Sequence, residues 1–335
     1  MTASPREPYA GLTPDAVLDA CESLGLACDG RQLTLNSYEN RVYQIGIEGA
    51  APLIAKFYRP ARWTDAQILE EHAFAAELVE AEIPVVAPLA FGGATLHRHA
   101  GFRFALFARR GGRTPELDRD ETLQWLGRFL GRIHMVGAKK PFEQRPALNF
   151  TTFGIESRDW LLEHDSVPAD LRPAWHAAAD LALEAVEATF RHVGPVETIR
   201  LHGDCHPGNV LWVEEGPDRG PHFVDLDDSR QGPAIQDLWM LLPGERREAE
   251  RALGHLVSGY EDFRDFDDRQ LPLIEALRTL RLIHHSAWIA RRWDDPAFPA
   301  AFPWFSGARY WEERILELKE QVALMQEAPI KPVRD

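Results

Sequence analysis

Asp204, Asn209 and Asp225 are the residues whose types and spacing fit a chemical task. They lie in His202-Gly203-Asp204-Cys205-His206-Pro207-Gly208-Asn209 and in Phe223-Val224-Asp225-Leu226-Asp227-Asp228. A carboxylate in a polar loop can take the proton of an attacking hydroxyl. A carboxamide and a strand-borne carboxylate can hold Mg²⁺ against nucleotide phosphates. Gly-Asp and Pro-Gly pairs also form ordinary turns, and either segment alone reads that way. Order and spacing favour the chemistry. The polar loop leads into Val210-Leu211-Trp212-Val213, then a Gly-Pro-Asp turn around 216–221, then Phe223-Val224-Asp225. This is the pattern of a β-hairpin, with Asn209 entering one strand and Asp225 leaving the other. It returns the two residues to one ion although they are sixteen positions apart. These are the parts of a phosphotransferase.

Other elements must supply a cation for the phosphates. Arg31–Leu35, Arg41–Ile47, Pro52–Tyr58, Pro84–Phe91 and Phe102–Ala108 read as strands, and Thr64-Asp65 opens a helix to about Ala81. Lys56, in Leu53-Ile54-Ala55-Lys56-Phe57, sits on an apolar strand much like the lysine of the kinase Val-Ala-Ile-Lys pattern. On the following helix Ile68, Phe74, Ala75, Leu78 and Val79 form one stripe, and Glu71 falls near its centre. A carboxylate there needs a partner, so Glu71 is expected to pair with Lys56 and Glu70 to be solvated. Neither a Gly-x-Gly-x-x-Gly loop nor a P-loop occurs. The candidate phosphate loop is Asn36-Ser37-Tyr38-Glu39-Asn40, where Ser37 or backbone amides can meet phosphate, or the segment is a plain turn.

Beyond Gly111-Gly112 the pattern turns helical. Leu123, Leu126, Leu130 and Ile133 make a core-facing stripe, with further helices expected at 157–164, 170–192, 234–262 and 270–292. Strands return only in 201–228. The fold class is α+β: a β-rich ATP-binding lobe at 1–108 and a mainly helical catalytic and acceptor lobe at 109–335, with a cleft expected at their junction. Asp237, in Gln236-Asp237-Leu238-Trp239, is expected to accept backbone N–H bonds from the 202–204 loop, or else simply to start a helix. Asp227 and Asp228 offer a second metal contact or a strand cap, and alternation puts Asp227 on the face of Asp225. His284, His285, Trp288, Trp293 and Trp304 either line an acceptor pocket or pack the last helices. Arg109-Arg110 and Arg113 either guide a partner or form a solvated patch. Residues 1–12 and 327–335 read as loose ends.

The chain has 335 residues and a net charge of −15, which argues against a nucleic-acid binder. No apolar run reaches the ~20 residues that cross a bilayer, and the N-terminus lacks a signal-peptide core, so a cytoplasmic protein without a membrane role is expected. Cys21, Cys28 and Cys205 are too scattered for a disulfide framework. Cys205 between His202 and His206 invites a zinc reading, but no further ligand pair with metal-type spacing accompanies it.

With these residues in place, the chain resembles the aminoglycoside-phosphotransferase-like superfamily and, within it, the bacterial stress response kinase A family of Ser/Thr protein kinases. The likeness spans about residues 12–325. It is carried by Leu35 through Gln44, Lys56-Phe57-Tyr58-Arg59-Pro60, Leu201 through His206, Phe223 through Asp228, Gln236 through Leu242, and Arg291-Arg292-Trp293 through Pro303-Trp304. The resemblance implies a two-lobed protein-kinase-like fold, with Asp204 as catalytic base, Asn209 and Asp225 on Mg²⁺, and Ser37 at the ATP phosphates. Gly203 stands where protein kinases carry Arg, which removes conventional activation-loop control. It further implies a monomer that autophosphorylates and takes a protein Ser/Thr substrate, with a role in stress survival. The alternative is a kinase for a small hydroxyl compound on the same scaffold.

Overall fold

A computed structural model describes residues 7–334. They fall into two compact units. One comprises the chain up to Pro115 together with Phe142–Arg145 and Pro207–Ser229; the other comprises Glu116–Pro141, Pro146–His206 and Arg230 onward. The units do not follow a single cut at 108/109.

In the first unit α1 (Pro14–Glu22) precedes β1 (Cys28–Leu35), β2 (Arg41–Ile47) and β3 (Leu53–Phe57). After α2 (Asp65–Glu80) come β4 (His97–His99) and β5 (Phe102–Ala108). The strands form an antiparallel sheet in the order β1-β2-β3-β5-β4. Thr64 starts α2 with a capping box: its hydroxyl accepts from Gln67 N–H while the Gln67 side chain accepts from Thr64 N–H. Under the sheet, Val17, Ala20 and Cys21 of α1 pack with Ile45, Ala55, Phe57 and Phe104.

Pro84–Phe91 is not a strand. Pro84 and Pro88 lack the N–H groups a ladder needs, and the segment makes only isolated bridges, Val85 to Phe223 and Pro88 to Phe107. The expected hairpin forms: β7 (Val210–Val213) pairs with β8 (Gly220–Phe223), with Val210 opposite Phe223. β6 (Ile199–Leu201) and β9 (Arg230–Gly232) pair separately, in the second unit.

The second unit is helical. α3 (Asp120–Gly137) packs on α7 (Arg246–Glu261), and α5 (Arg172–Val193) packs on α8 (Leu273–Ala290) and α10 (Ala308–Gln326). α4 (Glu156–Glu163) and α9 (Ala297–Ala301) are shorter. The single helix expected over 234–262 is two, because Pro243-Gly244 separates α6 (Ile235–Trp239) from α7. Among the described residues α1, the short α9 and α10 were missed. Yet α1 has a Thr13 cap and Pro14 at its first turn, and α10 buries Tyr310, Trp311, Ile315 and Leu318 at helical spacing.

The ends are not loose where they are described; residues 1–6 and 335 lie outside the described residues. The Tyr9 hydroxyl donates to Glu39 O at 2.9 Å. At the other end Ile330 is buried, Val333 N–H donates to Glu250 O, and Arg334 pairs with Asp268 and Glu261. Among the described residues no helix is long and apolar enough to cross a membrane.

α3 and α7 approach closely enough that a Cβ on Gly127 would stand 2.0 Å from Leu256 O, and one on Gly259 2.1 Å from Gln124 O. Neither backbone can yield without parting the helices. Gly127→Ala is therefore expected to cost about 1–3 kcal/mol or more, read as a lower urea midpoint. An unchanged midpoint would show that the helices separate freely.

Candidate active site

Lys56 lies on β3, the middle strand of the sheet, opposite Val42 and Ala105, and its side chain is only 8% exposed. An ammonium so placed requires anions. Its Nζ lies 2.8 Å from Asp225 Oδ1 and 3.3 Å from Asp227 Oδ1, and 5.3 Å from the Tyr58 ring centroid. Burial opposes its charge, but Asp225, Asp227 and then Glu71 outweigh burial and hold its pKa well above the usual lysine value.

Asp225 follows β8 in a left-handed conformation, φ 60° and ψ 65°. Asp tolerates this geometry better than most side chains do. Val224 N–H donates to Asn209 O at 3.0 Å, so the hairpin that carries Asp225 is closed beside Asn209. The Asp225 side chain is 53% exposed, and among the described residues only its Oδ1 is engaged, by Lys56. The second oxygen and the Asn209 carboxamide suit Mg²⁺, which takes one or two protein oxygens and fills its octahedron from water and phosphate.

The turn from Leu226 to Asp228 is a short 3₁₀ helix, not a continuing strand, so it is this turn and not alternation that brings Asp227 to Lys56 beside Asp225. Asp227 turns inward, almost fully buried. Asn40 Nδ2 donates to it at 3.2 Å, and Arg62 bonds it through a short contact. Arg62 also reaches Asp228 at 2.9 Å. Burial works against the Asp227 charge, but Arg62 and then Lys56 prevail and bring its pKa down to about 2. Asp227 is thus a structural counter-ion, with both oxygens turned to protein cations. Motif reading missed Arg62, and it placed Asn40 in the phosphate loop without foreseeing its bond to Asp227. Arg59 and Arg62 directly follow the lysine strand, and that basic pair was the available signal.

Glu71 is buried, as its stripe implied, and Lys56 is the leading attractive charge on it, although its ion pair within 4 Å is with another residue. Its neighbour is Arg145 Nη1 at 3.6 Å, supplied by the 142–145 segment. Arg145 also donates to the carbonyl oxygens of Ser229 and Asp227, which fixes the turn after Asp225. Glu70 is not merely solvated: it accepts backbone N–H bonds from Glu143, Gln144 and Arg145 at 2.6–2.9 Å. Ser37 lies in the β1–β2 turn, where its hydroxyl donates to Asn40 O at 3.0 Å.

The second unit holds Asp204. Gly203 before it has φ +85°, a turn only glycine adopts easily. Fully buried Asp237 accepts from His202 N–H and Gly203 N–H, each at 2.9 Å, and from His134 Nε2 at 3.1 Å. Burial raises its pKa, but His134 and the backbone bonds more than compensate, leaving it below the usual carboxylate value. The loop-anchoring role expected of Asp237 is therefore seen. Asp204 accepts from Arg281 Nη1 at 2.7 Å, and His206 Nε2 stands 3.6 Å from its other oxygen. The aromatics at 288–304 largely pack among themselves: Trp288 on Phe298 and Phe302, Trp293 on Phe305, Trp304 on Tyr310. Arg110 and Arg113 are engaged by Asp218 and Glu214.

Two outcomes follow from these networks. Burial, offset in part by Lys56, pushes the Glu71 pKa up from 4.5 to about 7. The folded state then holds a proton that the unfolded state releases, so stability present below about pH 4.5 is lost as pH rises through 7. Glu71→Gln removes that slope. Thermal melts from pH 4.5 to 8 should show the wild type losing roughly 3 kcal/mol relative to the variant, and parallel curves would refute the burial argument. Asp237→Ala strips the acceptor from two buried N–H groups and from His134, for a cost of roughly 3–5 kcal/mol. Denaturant titration checks it, and a loss below 1 kcal/mol would mean that water replaces the carboxylate.

Residues 31–272 match the phosphotransferase enzyme family APH. Over 323 residues, 96% of each protein, the chain is 46% identical to stress response kinase A of Escherichia coli (strain K12). It is 44% identical, at the same coverage, to a Salmonella typhimurium protein named serine/threonine protein kinase RdoA. Among solved structures, an amicoumacin kinase superposes with a TM-score of 0.70 at 19% identity, covering 95% of both chains. A microcompartment-associated aminopropanol kinase gives 0.66, also at 19% identity, over 92% of this chain and 96% of its own. At such identities the structures establish the kinase-like α+β fold. The sequence relatives go further: this chain belongs to the phosphotransferase enzyme family and, within it, to the stress response kinase A family.

Proposed function

We propose that the protein transfers the γ-phosphoryl group of ATP, with Mg²⁺ as cofactor, to a serine or threonine hydroxyl of a protein, its own chain included. The observation that carries the reading is the 2.8 Å contact between Lys56 and Asp225. It brings a phosphate-neutralising cation against the carboxylate suited to the metal. The 44–46% identity to kinases of this family, one of them named for serine/threonine protein phosphorylation, supports the acceptor class.

Asp204 accepts the proton of the attacking hydroxyl and orients it. Lys56 offsets charge on the nucleotide phosphates. Asn209 and Asp225 are the residues that would hold Mg²⁺, which when bound supplies a positive clamp on the phosphate oxygens. Ser37 and the amides of its turn border the nucleotide phosphates. Asp237 keeps the backbone before Asp204 in place and touches no reacting atom.

Asp204→Asn should retain ATP binding while turnover falls by about 10²–10⁴-fold. The assay is γ-labelled ATP with a protein acceptor; near-normal label transfer would remove Asp204 as the base. Asp225→Asn should raise the Mg²⁺ concentration needed for nucleotide binding. An unchanged metal titration would place the ion elsewhere.

A further inference from the structure

Arg281 stands out because its ion pair with Asp204 uses so little of it. The guanidinium carries five N–H donors in a planar fork, and among the described residues only Nη1 is engaged, at 2.7 Å on Asp204 Oδ1. The side chain remains 40% exposed. Among the described residues no other bond holds it, so its far edge is open to a second anion. Planar pairing with a carboxylate or phosphate is what that edge is shaped for.

On the surrounding face of α8 Arg278, one turn before Arg281, is paired with Glu275. Arg281, His284, His285 and Trp288 follow one another at i, i+3, i+4 and i+7, one stripe of the helix. His284 stacks on Phe153 at 4.0 Å, and His285 stacks on Trp288 at 5.6 Å. Burial, then Arg281 and Arg314, drive the His285 pKa down to about 4, so the ring is neutral near pH 7. Arg281 is the cation of this stripe that touches the carboxylate assigned to the acceptor hydroxyl.

We propose that Arg281 selects the acceptor, its free guanidinium edge binding an acidic side chain one or two residues from the phosphorylated serine or threonine. This rests on Asp204 receiving the hydroxyl, as in the function proposed above. With Nη1 at 2.7 Å from Asp204, an anion on the far edge lies within about two residues of extended chain, roughly 7 Å, of that hydroxyl. A cationic side chain at the same place meets like charge and leaves the far edge of the guanidinium without an anion. The same reasoning disfavours amino-alcohol acceptors.

The test uses the full-length protein, MgATP and matched serine peptides carrying Glu, Gln or Lys two residues from the serine, plus a hydroxy acid and an amino alcohol as small acceptors. kcat/KM is measured for the wild type, Arg281→Gln and Arg281→Lys. The expected result is a preference for Glu over Gln of about tenfold, lost in Arg281→Gln and partly kept in Arg281→Lys. Indifference to charge, or a preference for Lys, overturns the proposal. So does an equal loss by Arg281→Gln on every acceptor, which would leave Arg281 as a support for Asp204 alone. Phosphorylation of small acceptors but of no peptide would sink the protein-kinase reading instead. The proposal would then be decided by whether the hydroxy acid is preferred and whether that preference needs Arg281.

Discussion

A charged lysine inside a β-sheet is the constraint on which the first unit depends. Lys56 gives up nearly all its hydration, and only carboxylates at close range make that tolerable. Asp225 and Asp227 both supply this, from either end of one sharp turn. The turn has its own supports: the left-handed Asp225, the Ser229 hydroxyl donating to Leu226 O at 2.6 Å, and Arg145 on its carbonyls. Arg62 and Asn40 then complete the neutralisation of Asp227. Two neighbouring carboxylates thereby take different parts. The buried one is committed to protein cations, whereas the exposed one keeps an oxygen available for a ligand.

The second unit applies the same physics to its backbone. Asp237 is buried at 0% exposure, yet it satisfies two N–H groups of the residues just before Asp204. His134, itself bonded to the Tyr260 hydroxyl at 3.0 Å, ties that carboxylate to α3 and α7. The close glycine-lined packing of those helices thus continues into the position of the Asp204 loop. Precision at Asp204 is built from behind.

Much of this was legible in the sequence, for identifiable reasons. The hairpin from Asn209 to Asp225 showed because apolar runs and a Gly-Pro turn specify it locally. The burial of Glu71 showed because a helical stripe has a computable centre. Its attraction to Lys56 showed too, but its contact with Arg145 did not, since Arg145 arrives from seventy-four residues away along the chain and no periodicity encodes that return. Arg62 was hidden in an irregular segment, where no face can be assigned. Asp227 does meet Lys56 beside Asp225, but a 3₁₀ turn puts it there, not alternation along a strand that has already ended. Pro84–Phe91 read as a strand on composition alone, although its prolines argued otherwise. The C-terminal tail looked polar and loose, yet it docks on α7, where a Cβ on Gly254 would stand 2.2 Å from Val333 O.

The most direct test of the account is Lys56→Met, assayed for label transfer from γ-labelled ATP alongside thermal melting. If the buried lysine is there to meet phosphate, the variant stays folded while transfer falls by at least about 100-fold. Full transfer by a folded Lys56→Met protein would contradict the account, because the cation that organises Asp225 and Asp227 would then have no part in the chemistry.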